Sequence, residues 1–287
     1  MKLPLGIKLD SATKTRFDMP NIELNGISLF YEKHGKGEPL LLIPGMSADG
    51  RTMTPVSKLL AKHFTVIIPD NRGCGKTLPH DASNSIELMA DDCVLLLQHL
   101  GIDSFHVAGH SMGGFIALDL AARYPSLVRR LVLANCHYEA SARNKILYDD
   151  FVAYLESGMD LRFWHRNIFY WLFSNQFFAS DDILEMALDY TVEHPERQTD
   201  CAFIHQVEAL KEYQGREKLS HIQAPTLVVG ADQDILYPPH LNQDLAKRIS
   251  DARFHLIENC AHATPVEQPE LFGQIIADHC LCRDQQA

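Results

Sequence analysis

Short, uninterrupted runs of apolar residues recur along the chain. They are Leu40-Leu-Leu-Ile43, Phe64-Thr-Val-Ile-Ile68, Phe105-His-Val-Ala108, Leu131-Val-Leu-Ala134, Thr226-Leu-Val-Val229 and Phe254-His-Leu-Ile257. A strand with one wet face alternates apolar and polar residues. A continuous run of this length therefore marks a strand buried on both faces, as in a parallel sheet. Helical spacing fills the gaps: Met89, Cys93, Leu96 or Leu97, and Leu100 share one face of a helix that Ser85 can cap and Gly101 can end. Alternation of this kind predicts right-handed βαβ units, hence an α/β fold with a mostly parallel, doubly wound sheet. Ahead of it, Asn25-Gly26 between Asn21-Ile-Glu-Leu24 and Ile27-Ser-Leu-Phe-Tyr31 predicts a β-hairpin.

The alternation stops after Leu131-Val-Leu-Ala-Asn-Cys136 and resumes at Ala224-Pro-Thr-Leu227. Between them, positions such as Leu147, Phe151 and Tyr154 or Leu155 suggest helices, so the expected organisation is a core of residues 1–136 and 218–287 with an inserted helical cap at 137–217. The insertion is rich in aromatics, including Phe163, Trp164, Phe169, Tyr170, Trp171 and Phe173. Most should pack the insertion itself. Ligand sites favour apolar crevices between domains, so Trp164, Tyr170 and Trp171 are read as pocket candidates, with His110 and His137 beside the core.

At 287 residues the chain can bury a full core. Its formal net charge of −11 has no compensating basic stripe, which disfavours a nucleic-acid or anionic-membrane partner. The first twenty residues lack the apolar run of a signal peptide, and no stretch approaches a membrane span, so a cytoplasmic protein is expected. Seven scattered cysteines without a Cys-x-x-Cys pair suit reduced thiols. No histidine sits in a metal-ligand spacing such as H-E-x-x-H, so no metal is expected.

Gly109-His-Ser-Met-Gly113 carries the pattern G-x-S-x-G, which chance alone yields about 0.1 times in such a chain. Its position gives it meaning: Ser111 follows one predicted buried strand and opens a predicted helix, the setting of a nucleophile held at a sharp turn. No Gly-Lys-Ser/Thr follows, which excludes a phosphate-binding loop. A serine nucleophile needs a base, an acid to orient it, and donors for the oxyanion, all at the carboxyl ends of the strands. His262 follows the last strand signal. Asp234 and Asp232 share the loop after Thr226–Val229, and Asp70 follows Phe64–Ile68 in a glycine-rich segment that reads better as a structural turn built around Arg72. Backbone N–H groups of Met112 and of Met46, in the loop Pro44-Gly-Met-Ser47, are the oxyanion candidates.

With these pieces in place, the chain from about residue 21 to 280 resembles the α/β-hydrolase superfamily. The matching segments are LLLIPGMSADG, IIPDNRGCGKT, VAGHSMGGFIALDLAARYP, LVLANC, APTLVVGADQDILYPP and AHATPVEQPELF. Its oxyanion loop and short cap look most like the 3-oxoadipate enol-lactonase and carboxylesterase-like members. The resemblance implies Ser111 as nucleophile, Asp234 and His262 as its relay, and Met46 and Met112 as oxyanion donors. Ile-Leu-Tyr-Pro after Asp234 fits the family loop and selects it over Asp232. Two departures stand out: Pro44 where many members have histidine, and Ala261 where glycine usually precedes the catalytic histidine.

The expected activity is cofactor-free hydrolysis of a small carboxylic ester or lactone through an acyl-enzyme, falling on acidification toward about 6.5 as imidazole protonates. C–C bond hydrolysis, thioesterase or perhydrolase chemistry, or a non-catalytic ligand receptor, would use the same scaffold. A small molecule is the expected partner, and a homodimer is compatible with this reading. Cys260, two residues from His262, reads as a buried inert thiol, with oxidation sensitivity of the site as the alternative.

Overall fold

The computed structural model describes residues 21–282, so the amino-terminal segment weighed above for a leader lies outside the described residues. β1 (Asn21–Leu24) and β2 (Ile27–His34) form the expected hairpin. Its turn places Asn25 at φ 43° and Gly26 at φ 76°, the paired left-handed conformation that Asn-Gly adopts at least cost. Then follow β3 (Glu38–Ile43), α1 (Thr54–Leu60), β4 (Phe64–Pro69), α2 (Ile86–His99), β5 (Phe105–His110), α3 (Met112–Arg123) and β6 (Val128–Ala134). Four helices come next: α4 (Ala142–Glu156), α5 (Leu161–Leu172), α6 (Asp181–Val192) and α7 (Asp200–Glu212). The chain closes with β7 (Thr226–Ala231), α8 (Pro239–Arg248), β8 (Ala252–Ile257), α9 (Thr264–Glu267) and α10 (Pro269–Cys280). Ser85 caps α2 as its side chain accepts from Leu88 N–H.

The strands form one eight-stranded sheet in the order β1-β2-β4-β3-β5-β6-β7-β8. β1 and β2 are antiparallel, and every pairing from β4 to β8 is parallel. Alternate residues of each apolar run face opposite sides. Leu41, Ile43, Val107, Leu131 and Leu133 join a core that includes α2, α3 and α8 residues, whereas Leu40, Leu42, Ala108, Val132 and Ala134 join one that includes α1 and α10 residues. That division is why these runs are continuous rather than alternating. β8 differs from the expectation: as an edge strand it leaves Arg253, His255 and Leu256 exposed.

The helical insertion leaves the sheet between β6 and β7, and an isolated antiparallel bridge between Glu139 and Gln214 draws its two ends together. Leu147, Tyr148, Phe151, Trp164, Phe203 and Val207 share the core of the main body. Phe169, Phe177, Leu184 and Leu188 form a small separate cluster. Among the described residues, no helix is long and apolar enough to cross a membrane.

Candidate active site

β5 ends at His110 and α3 begins at Met112, which leaves Ser111 alone to turn the chain. It does so at φ 53° and ψ −122°, a region a non-glycine residue occupies only under strain imposed by its surroundings. Its N–H donates to Ala134 O at 2.9 Å. The flanking glycines are needed for space. A Cβ at Gly109 would lie 2.0 Å from Gly113 O, and one at Gly113 would lie 2.2 Å from Ile43 O. The strand and helix thus meet at backbone distance, and the serine side chain projects from the tip.

Ser111 Oγ lies 2.9 Å from His262 Nε2, and His262 Nδ1 lies 2.9 Å from Asp234 Oδ2. The carboxylate fixes the tautomer, because Nδ1–H donates to it and leaves Nε2 to accept from the serine hydroxyl. Asp234 is buried, and its Oδ1 accepts from the N–H groups of Leu236 and Tyr237, both at 2.8 Å. Oδ2 also accepts from Asn135 Nδ2 at 3.0 Å. Burial alone would raise its pKa. The charge and hydrogen bond of His262, with those donors, outweigh burial and hold the carboxyl below the usual aspartate range.

The loop carrying His262 is tied at several points. His262 O accepts from His110 Nε2–H at 2.7 Å, and Ala263 N–H donates to Leu172 O in α5 at 2.8 Å. Thr264 Oγ1 donates to Asn135 Oδ1 at 2.9 Å, which orients the amide that faces Asp234. Burial, with the nearby His262, pushes the His110 pKa down to about 3, so this ring is neutral and acts as a donor at Nε2.

Met112 opens α3, so its N–H has no acceptor within the helix. The second oxyanion candidate lies in a tight turn, closed by Ala48 N–H donating to Gly45 O at 3.3 Å. This turn crosses directly over the serine. A Cβ at Gly45 would sit 3.2 Å from Ser111 Cβ. The segments that carry the N–H groups of Met46 and Met112 therefore both lie beside Ser111.

The other sequence candidates separate clearly. Asp232 is exposed and accepts from Cys260 N–H at 3.1 Å, not from His262. Asp70 is a buried turn residue that accepts from Gly50 N–H at 2.8 Å and Lys76 N–H at 2.9 Å; burial pushes its pKa up to about 6. Arg72, also buried, is bidentate to Asp92, with Nε–Oδ2 2.5 Å and Nη2–Oδ1 2.9 Å. Cys260 is fully buried, and burial pushes its thiol up to about 12, as the inert-thiol reading expects.

The aromatic and histidine candidates of the insertion and its border lie in different surroundings. Tyr170 is half exposed, stacks on Phe178 and lines an open surface groove with Met159, Phe163, Arg166 and Asn167. Trp164 is interior to the insertion, where its Nε1–H donates to Phe151 O at 2.9 Å and its ring meets Phe203 edge-on. His137 packs on Tyr138 and faces Asp244 of α8 at 3.5 Å. Trp171 is half-buried under the Arg143 guanidinium. Asn135 and Thr264 were not anticipated, although Asn135 ends the β6 run at the same sheet edge that pointed to the others. Among the described residues, no group of three His, Cys, Asp or Glu is placed to hold a metal.

Residues 38–269 match the family model described as alpha/beta hydrolase fold. The chain belongs to the α/β-hydrolase family and is an enzyme of the hydrolase class. It is 30% identical over 279 residues to the Azorhizobium caulinodans protein named "Putative carbamate hydrolase RutD", covering 93% of this chain and 100% of the relative. Its namesake from Rhizobium rhizogenes is 31% identical over 265 residues, covering 90% and 99%. Among solved structures, the enol-lactonase from Burkholderia xenovorans LB400 superposes with a TM-score of 0.82 at 22% identity, covering 91% of this chain and 100% of that one. At that identity the likeness speaks to the fold alone.

Proposed function

We propose that this enzyme is a serine hydrolase that cleaves small carboxylic esters or lactones through an acyl-enzyme, with Ser111, His262 and Asp234 as its triad. The observation that carries the proposal is the unbroken relay from Ser111 Oγ to His262 Nε2 at 2.9 Å and from His262 Nδ1 to Asp234 Oδ2 at 2.9 Å. His262 takes the Ser111 proton as Oγ bonds to the substrate carbonyl carbon. The carbonyl π electrons move onto oxygen, which accepts hydrogen bonds from Met46 and Met112 N–H. Collapse of this adduct expels the alkoxide, to which His262 returns the proton. Water, deprotonated by His262, then attacks the acyl-enzyme and releases the acid. Helices α4 to α7, within residues 137–217, serve as a cap over this site.

A second reading is favoured by the relatives of about 30% identity along nearly the whole chain, which are named as carbamate hydrolases. A carbamate offers the same carbonyl carbon with an amine as leaving group, so the same relay would serve. The test is a panel of p-nitrophenyl esters, lactones, thioesters, vinylogous diketones and carbamates with the wild type and Ser111→Ala. The expected result is turnover of esters or carbamates in the wild type and loss of it in a folded Ser111→Ala variant. Retained turnover in that variant overturns the triad.

A further inference from the structure

The turn that carries Met46 is held from the far side of the insertion. Ser47, next to Met46, has φ 59°, a left-handed conformation that a non-glycine residue keeps only when its surroundings impose it. Two glutamines from the last part of the insertion supply that constraint. Gln206, on α7 and fully buried, accepts from Ser47 N–H at 3.0 Å through Oε1. Its Nε2 donates to Arg72 O at 2.8 Å and to Cys74 Sγ at 3.1 Å. Gln198, just before α7, accepts from Ser47 Oγ–H at 2.5 Å and donates to Gly73 O at 3.0 Å.

The position of Gln206 requires an amide. Ser47 N–H can only donate and the Arg72 carbonyl can only accept, so the side chain between them must do both while neutral and buried. The seat is rigid as well: α7 packs so closely on the 71–76 turn that a Cβ at Gly73 would lie 2.9 Å from Ala202 Cβ.

We infer that Gln206 and Gln198 are positioning residues for the oxyanion donor: α7 fixes the peptide after Met46, so the catalytic site is complete only with the insertion seated. This rests on the serine-hydrolase reading above. Without the tie, the strained turn relaxes and Met46 N–H leaves the place where charge develops. Misplacement by about 1 Å costs on the order of 100-fold, as does losing one oxyanion donor.

The test is steady-state kinetics on the substrate that the panel identifies, together with the affinity of an alkyl boronic acid. In Gln206→Met, kcat is expected to fall about 10–100-fold with KM changed less than about threefold, and boronate affinity to fall in parallel with kcat/KM. Gln206→Glu, which can still accept from Ser47 N–H, is expected to recover part of the loss. Ser47→Ala, at an exposed side chain, keeps the fold and is expected to lower kcat about threefold or more, so it carries the test if Gln206→Met fails to fold. An unchanged kcat in folded variants, or a rise in KM alone, overturns the inference. Turnover in Ser111→Ala would instead overturn the reading beneath it.

Discussion

Asp234→Asn is the perturbation whose outcome the geometry specifies most fully. Asp234 Oδ1 accepts two backbone N–H groups at 2.8 Å, while Oδ2 accepts from Asn135 Nδ2 at 3.0 Å and faces His262 Nδ1 at 2.9 Å. An asparagine there must keep its oxygen toward the two N–H groups, since the opposite orientation would set its NH2 against both of them. Its NH2 then points at His262 Nδ1, which can accept only if the proton moves to Nε2. The Ser111 hydroxyl would face a donor instead of a base. The expected loss is about 10⁴-fold in kcat, the scale of the same tautomer error in another serine hydrolase and equivalent to about 5 kcal/mol. Asn135 Nδ2–H would also confront another NH2, at an expected cost of about 1–3 kcal/mol in stability. Asp232→Asn changes only an exposed acceptor of Cys260 N–H, so kcat should stay within about twofold. Initial rates on a p-nitrophenyl ester, with urea unfolding as the stability control, decide the matter. A tenfold or smaller loss in Asp234→Asn, or a comparable loss in Asp232→Asn, would refute the reasoning.

Further expected outcomes concern stability. His110 is buried and its pKa is depressed to about 3, so between that value and about 6.5 the unfolded chain binds a proton that the native state refuses. Acidification from pH 6.5 to 4.5 should therefore cost about 2 kcal/mol at this residue. His110→Gln, which can still donate to His262 O, should lose less stability over that range in urea titrations; an equal loss would exclude His110 as the source. Arg72→Met strands the Asp92 carboxylate in the interior and should destabilise by about 3–5 kcal/mol, whereas the double variant Arg72→Met/Asp92→Leu should recover much of the loss. Failure of the second change to restore Tm would show that the stranded Asp92 carboxylate is not the main cost of Arg72→Met.

The sheet was legible because strands buried on both faces need continuous apolar runs, and β3 to β7 carry them. β8 has the same look in Phe254-His-Leu-Ile257, yet lies at the edge, since run length alone cannot tell a central strand from a bordering one. Chain order and strand ends pointed to Ser111, Asp234 and His262, which the fold does bring together. The aromatic insertion was not legible. A cluster of Trp and Tyr says that apolar surface exists and gives no direction for each ring, so Trp164 came out buried and Tyr170 exposed. Asn135, Gln198 and Gln206 act through long-range hydrogen bonds, with 99, 151 and 159 residues separating partners, and no local pattern records such pairing.

The measurement that bears most directly on the proposed chemistry is peptide mass mapping of enzyme acid-quenched during turnover of p-nitrophenyl butyrate. The expected result is a butyryl mass increase on the peptide containing Ser111, absent in Ser111→Ala. An adduct on another residue, or full turnover with no adduct on Ser111 at any quench time and an active Ser111→Ala enzyme, would contradict a serine acyl-enzyme at this elbow.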